Sequence, residues 1–298
     1  MAKARAIVKR RKAVRNIRKI TKTMQMIATA KFQKAFKRAV AAKPYTRKTR
    51  ELVAELAASV GDVDHPLLRK AEPTEAVNRI ALLVITSNRG LCGAYNGSVL
   101  RAAMVFIRAQ LAANQQIDLY VAGKKGVAYF NFQKRPITQR LDQFGDAPKY
   151  ADAAEVGQTF IDRFVKREVD SVYVAYVNFI SAGQQKPEVL QVLPLAAIKP
   201  AQKAGAALTE RAAIYDFYPE PQSLLDELLP LTVKTTMFQC FLDATTSENV
   251  ARMVSMKSAT DNAEEMVKLL TMQYNRARQS QITTELSEIM GGVEAMKA

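Results

Sequence analysis

The stretch LTVKTTMFQCFLDATTSENVARMVSMKSATDNAEEMVKLLTMQYNRARQSQITTELSEIMG, residues 231–291, decides the fold. Between Pro230 and Gly291 there is neither Pro nor Gly, so nothing local interrupts a helix. At the α-helical rise such a helix runs to roughly 90 Å. Met253, Met256, Thr260, Ala263, Val267, Leu270, Tyr274 and Ala277 recur at alternating steps of three and four, the period of a coiled-coil seam. The seam is rich in Ala, Thr and Met and poor in Leu. It suits close packing on one partner helix and leaves the other faces for other surfaces.

The partner is the opposite end of the chain. Residues 1–57 contain a single Pro, Pro44, and no Gly, so a helix is expected there with at most a kink at the proline. Val14, Ile17, Thr21, Met24 and Ala28 mark its seam, with Met24 facing inward and Ile17 and Ile20 beside it. The predicted fold class is α/β plus a long antiparallel α-helical coiled coil formed by the N- and C-terminal helices. A small, open, largely parallel sheet domain fills the middle and brings the chain back, giving a rod with a knob on its side. The boundaries read as 1–57 for the first helix, 58–78 for a linker, 79–212 for the α/β (Rossmann-like) domain, and 213–298 for the last helix with its approach segment.

Charge is unevenly placed. Residues 1–50 hold 18 Lys or Arg and no Asp or Glu, so the formal excess of +16 resides in the first helix. A helical stretch of 50 residues without carboxylates has little relief from its own repulsion and points to an acidic partner: a protein surface, a nucleic acid or an acidic lipid surface. No apolar run is long enough to cross a membrane. The N-terminus lacks the apolar core of a secretory signal. Its Arg-rich start mimics a transit peptide but carries the seam, so it belongs to the folded protein. Cys92 and Cys240, far apart in sequence, read as reduced, buried thiols.

Residues 58–78 carry Gly61, Pro66 and Pro73 and end the first helix; His65, the sole histidine, is a loop residue and no metal site. RIALLVIT (79–86) is a strand covered on both faces, followed by the turn SNRGLCGAYNG (87–97) and a helix from Val99 to Gln116. The spacing of Gly90, Gly93 and Gly97 fits neither G-x-G-x-x-G nor G-K-[ST], so the turn reads as one needing glycine backbone freedom and close chain approach, not as a phosphate cradle. Strands follow at 117–123, 171–181 and 187–196, with a short one within 136–151. Helices follow at 124–132 and 152–167, the latter capped by Asp152. Residues 214–230 read as a last strand whose acids, Asp216, Glu220, Asp226 and Glu227, answer the basic helix.

Catalytic arrangements are scarce. A triad would have to use His65, no C-x-x-C occurs, and Asp261, Glu264, Glu265, Glu285 and Glu288 have the spacing of a solvated helix face. No catalytic, metal or cofactor residue is assigned. Two rival classes remain: a nucleic-acid-binding protein using the basic N-terminal helix, and an enzyme with a site at the carboxyl edge of the sheet.

RNIRKITKTMQMIATAKF (15–32), TSNRGLCGAYN (86–96), SENVARMVSMKSATDNA (247–263) and YNRARQSQITTELSEIMGG (274–292) resemble the gamma subunit of F-type ATP synthase, of bacterial type. The resemblance covers both terminal helices and the start of the middle domain, and extends more weakly through 98–230. It departs at Asn249, where the family often has His, and at Val293, where it often has Ala. The cysteine-bearing insertion of the chloroplast form is absent, which argues against thiol control.

The resemblance implies a central rotor shaft that couples proton flow through a membrane c-ring to conformational change at the catalytic beta subunits, and so to ATP synthesis, and that influences ATPase activity and proton flow. It implies as partners a ring of three alpha and three beta subunits, an epsilon subunit against the middle domain, and the c-ring. The implied location is peripheral, on the cytoplasmic face of the bacterial plasma membrane, with the catalytic residues on the partners. Residue by residue, Met24 matches a position facing the acidic hinge-arm segment of beta, and Arg252 one in the same coupling zone. Arg278, Gln279 and Thr283 match a catch that grips a beta loop. Ile282, Leu286, Ile289, Val293 and Met296, apolar at steps of three and four, would form a tip turning in an apolar sleeve. Residues 34–50 and 215–222 would lie at the foot, where Tyr45, Asp216 and Glu220 are candidate c-ring contacts.

Overall fold

The computed structural model describes residues 2–60, 65–69, 77–195 and 221–296. Along them run α1 (Ala2–Val60), β1 (Arg79–Ile85), α2 (Tyr95–Ala112), β2 (Gln116–Ala122), α3 (Lys124–Phe132), β3 (Gln139–Leu141), α4 (Tyr150–Val165), β4 (Ser171–Phe179), β5 (Gln185–Leu193) and α5 (Pro221–Ala295). The five strands form one sheet in the order β3-β2-β1-β4-β5. The β1–β2, β1–β4 and β2–β3 pairs are parallel, and β4–β5 is antiparallel. The last pairing follows from chain length. Only a turn closed by Ser181 and Gln184 joins β4 to β5, too short for the crossover that a parallel neighbour needs.

The apolar run of β1 divides between two cores, as a strand buried on both faces must. Ala81, Leu83 and Ile85 face a core shared with α4, with Val53 and Leu56 of α1, and with α5 from Leu225 to Ala244. Leu82 and Val84 face the opposite core, built by Tyr95, Val99, Ala103 and Ile107 of α2 and by Phe130 of α3. Phe144, in the loop after β3, stacks on Phe241 of α5 with ring centroids 3.8 Å apart, and Tyr120 of β2 meets Phe160 of α4 edge-on at 4.9 Å.

The chain packs as two units, Lys31–Ala251 and Met1–Ala30 with Arg252–Ala298. The first holds the sheet together with the adjoining stretches of both long helices. In the second, the ends of α1 and α5 pair antiparallel, since partners on α5 fall in number as those on α1 rise. Arg11 lies 4.9 Å over the Tyr274 ring, Arg18 reaches Glu264 at 3.4 Å, and the Thr260 hydroxyl meets that of Thr21 at 2.8 Å. Val14, Ala263 and Leu270 are the buried apolar centre, flanked by Ile7 and Val267. Every predicted α5 seam position from Met253 to Ala277 is buried or half-buried.

Several expectations need correction. On α1, Ile17 and Ile20 are 53% and 60% exposed, because the seam steps from Val14 to Arg18 rather than to Ile17. A spacing of three or four satisfies the same period, and the partner Glu264 selects four. Residues 221–230 are helix, not strand. Leu225 and Leu229, one turn apart, are fully buried on one face, and Pro230 is accommodated inside α5 as Pro44 is inside α1. The α2 helix begins at Tyr95, four residues before the expected Val99, and ends at Ala112. Asp152 is not the cap of α4. Extended Lys149 precedes the helix, and Asp152 lies in the first turn, where its charge suits the helix dipole. Glycine freedom is required at Gly93 (φ +56°), and Leu91 shares the left-handed conformation (φ +64°), whereas Gly90 and Gly97 have ordinary dihedrals. Among the described residues, the cations of α1 reach Glu51, Glu264, Asp146 and Asp243, and Asp226 sits 3.6 Å from His65; Asp216 and Glu220 lie outside the described residues.

Candidate partner-contact site

The carboxyl edge of the sheet is where an α/β ligand site would lie. Here it is closed by the chain itself. The Thr86 hydroxyl donates to the Ala122 carbonyl at 2.8 Å and accepts from the Gly126 amide at 2.9 Å. The amides of Lys124 and Lys125 bind Asn88 Oδ1 and the Ser87 carbonyl, each at 3.1 Å. Three of the N–H groups that a helix start offers to a phosphate are therefore occupied. Asn96 holds the turn from the other side, donating from Nδ2 to Ser87 Oγ at 2.7 Å and accepting the Ser87 amide at 3.0 Å. The cavity beside this edge is about 30 Å³, the size of a water site and not of a nucleotide. Cys92 is buried in the same network, and Cys240 is buried in the α5 core; neither is joined in a disulfide.

The exposed helix faces are a different matter. Beyond the paired seam, α5 carries Ile282, Leu286, Ile289, Met290, Val293 and Met296, all exposed. At 100° per residue they share an arc of about 120°. Arg278, Gln279 and Thr283 lie within or beside the same arc, all exposed, with the Thr283 hydroxyl returned to the Gln279 carbonyl at 3.0 Å. The antiparallel register carries the start of α1 to about Gln281, so this face begins where the intramolecular partner ends. The structure thus gathers Arg278, Gln279, Ile282, Thr283, Leu286 and Ile289 on one surface.

Met24 and Arg252 lie toward the other end of the same helix pair, both half-buried. Tyr45 is 56% exposed and close enough to Tyr150 to help raise that phenol, although burial is the larger cause. Asp216 and Glu220 lie outside the described residues. Among the described residues, no group of His, Cys, Asp and Glu has the arrangement of a metal site, and no helix is long and apolar enough to cross a membrane.

A second polar feature escaped the sequence reading. Asp243, on α5, is only 3% exposed. Lys43 Nζ lies 3.7 Å from its Oδ1 and donates to the Phe179 carbonyl at 3.1 Å. Burial raises the Asp243 pKa above the usual carboxylate range; Gln239 and Lys43 oppose the rise, and Glu188 adds to it. The signal in the sequence was a lone acid inside the apolar run FQCFLDA. A raised folded-state pKa means that the ionised form costs stability. Asp243 therefore contributes most below its unfolded value of about 3.9, and that contribution is lost as pH rises through the folded value. Asp243→Asn should flatten this component. Urea midpoints of wild type and variant, compared between about pH 4 and 8, are expected to converge at the acid end and separate in favour of the variant above it.

The family described as ATP synthase matches residues 3–296. The chain is 44% identical over 298 residues to the ATP synthase gamma chain of Rhodopirellula baltica, covering all of both chains. The chain belongs to the ATP synthase gamma-chain family. The gamma chain of Leptospira biflexa is 40% identical over 296 residues, 99% of this chain and all of that one. Among solved structures, the rotor of the Euglena gracilis mitochondrial ATP synthase superposes with a TM-score of 0.64 at 20% identity, covering 94% of this chain and 99% of that chain. The central stalk and c-ring structure from Tetrahymena thermophila gives 0.55 at 21% identity, covering 80% of this chain and 99% of that chain. The fold of those chains is the fold described here. Membership over the full length does not support the nucleic-acid reading of the basic helix.

Proposed function

We propose that this chain is the central rotor shaft of an ATP synthase and is not itself catalytic. The helix pair stands in a ring of three alpha and three beta subunits, and its rotation favours a different beta conformation at each angle. Coupling of this kind needs only contacts whose strength differs between states. Proton flow through a membrane c-ring turns the shaft, and the catalytic residues belong to the partners. An epsilon subunit lies against the sheet unit, and the complex sits peripherally on the cytoplasmic face of a bacterial plasma membrane.

The observation that carries the reading is the exposed apolar face from Ile282 to Met296, which begins about where α1 no longer pairs with α5 and has Arg278 and Gln279 at its near edge. A helix stripe of this size needs a partner to bury it. Met24, Arg252, Arg278, Gln279 and Thr283 are assigned to the beta contacts, with Ile282, Leu286 and Ile289 in the apolar sleeve. Tyr45, Asp216 and Glu220 are assigned to the c-ring.

Co-expression of the tagged chain with alpha and beta subunits tests this. One chain per ring, with ATP hydrolysis that depends on the chain, is the expected result. Failure to associate, with retention on nucleic acid at low salt and release at moderate salt, would overturn it. Within the assembled ring, Leu286→Asp should weaken retention of the chain about tenfold, since it places a charge in an apolar contact centre. Unchanged retention would remove the tip from the interface.

A further inference from the structure

We infer that Lys43, Asp243 and Phe179 form a clamp that holds the two long helices rigidly against the end of β4, and that its stiffness sets how faithfully rotation is coupled to proton transfer. The inference rests on the rotor reading and assigns positioning residues within it.

Three elements meet at this point, all inside the sheet unit. Phe179 is the last residue of β4 and is buried. Two rings of α1 close on it: Phe32 at 6.1 Å and Phe36 at 5.7 Å between centroids, with 5.6 Å between the two α1 rings themselves. About two turns further along α1, Lys43 Nζ donates to the Phe179 carbonyl at 3.1 Å, stands 5.9 Å over its ring, and approaches Asp243 of α5 at 3.7 Å. One ammonium thus ties α1, β4 and α5 together. Ser247, a turn beyond Asp243, adds a hydrogen bond from α5 to the Val177 carbonyl at 3.2 Å.

The placement is informative. Pro44 follows Lys43 inside α1. A proline removes the backbone hydrogen bond to the preceding turn and makes that point of a helix soft to bending. The ammonium lies immediately before it, and the α1 rings of the aromatic cluster about two to three turns earlier. The clamp therefore stiffens α1 where the backbone alone is weakest.

The chemistry is also uneconomical for stability alone. Asp243 is buried, and neither its Oδ1 nor either side-chain atom of the neighbouring Gln239 amide makes a hydrogen bond of good geometry, although Gln239 lies near enough to oppose the rise in the Asp243 pKa. Only Asp243 is buried, since the Lys43 side chain is 45% exposed, so solvent screens the pair, and apolar residues of similar volume commonly replace even a fully buried ion pair with no loss of stability. What they do not replace is the fixed direction of the Lys43 link to the Phe179 carbonyl and to α5. Orientation, rather than stability, is what this arrangement secures.

The test uses the complete complex in sealed vesicles, with proton uptake and ATP hydrolysis measured together. The double variant Lys43→Met with Asp243→Leu should assemble and melt as wild type, and hydrolyse ATP within about twofold of it, while protons taken up per ATP fall about threefold. Angular fluctuation of single rotors about their dwell positions should broaden in the same variant. Lys43→Arg, which keeps the cation, should restore both. Unchanged proton uptake per ATP in the double variant would overturn the clamp, as would losses that simply follow melting temperature or assembly yield across the variants. The rotor reading fails separately, if the wild-type chain gives no chain-dependent hydrolysis or proton uptake.

Discussion

Gly123→Ala is expected to destabilise the sheet unit by about 4 kcal/mol, enough to leave it largely unfolded at modest urea. Gly123 has φ +95° and ψ 135°, a conformation essentially confined to glycine. Strain of this kind costs about 1–3 kcal/mol for a residue with a Cβ. The added methyl would also overlap the Thr86 carbonyl and lie 2.7 Å from Thr86 Oγ1. Backbone and a buried hydroxyl cannot swing aside as a flexible side chain does. Relief requires Thr86 to withdraw from Ala122 and Gly126, leaving buried polar groups unpaired at about 1–3 kcal/mol. A control separates the two contributions. Thr86→Val removes the hydroxyl's hydrogen bonds without straining Gly123, and should cost about 2 kcal/mol by urea denaturation. An alanine variant at Gly123 that melts like wild type would mean the β2–α3 turn is not held by the end of β1.

The β1–α2 turn, packed against the β2–α3 turn, shows what a sequence discloses. TSNRGLCGAYN is legible as a tight strand-to-helix connection because a continuous apolar strand runs into a glycine-rich stretch. Which glycine matters is not legible. Gly123 and Gly126, some thirty residues away, carry the close approach, whereas Gly90 has room for a side chain. Strand β1 was legible because both its faces are buried. The direction of β5 was not, since a run of alternating residues reads the same either way along a neighbour. The start of α5 was hidden by Pro230, although LLDELL before it repeats at helical spacing. The paired face of α1 was ambiguous between residues 17 and 18, and only the opposite helix decides. The contact residues came from resemblance. In sequence alone, an exposed Arg278 reads the same whether a partner or water meets it.

Leu270→Asn should separate the ends of α1 and α5 from each other while leaving the sheet unit folded. The apolar centre of this helix pair is small: Val14, Ala263 and Leu270 buried, with Ile7 and Val267 beside them. Leu270 is 6% exposed and is its largest buried side chain. Removing it forfeits about 2 kcal/mol of apolar burial, and placing an amide there adds about 1–2 kcal/mol where no partner meets it. The surrounding contacts do not offset this. The Arg18–Glu264 pair is exposed, so it contributes at most about 1 kcal/mol, and the Thr21–Thr260 hydrogen bond about the same. Asparagine is the useful replacement because a carboxylate would be rescued by the acid-free, cationic first half of α1. Hydrogen exchange should show residues 5–28 and 255–277 losing protection by about a hundredfold, with β1, β2 and β4 unchanged. The loss should be much smaller once the chain is assembled with alpha and beta subunits, because a sleeve that buries the outer faces supplies the contacts the pair lacks by itself. Equal loss in the free and assembled states would mean that the helix ends are not enclosed by a partner. Cooperative loss of the sheet together with the helix ends would mean that the two packed units fold as one.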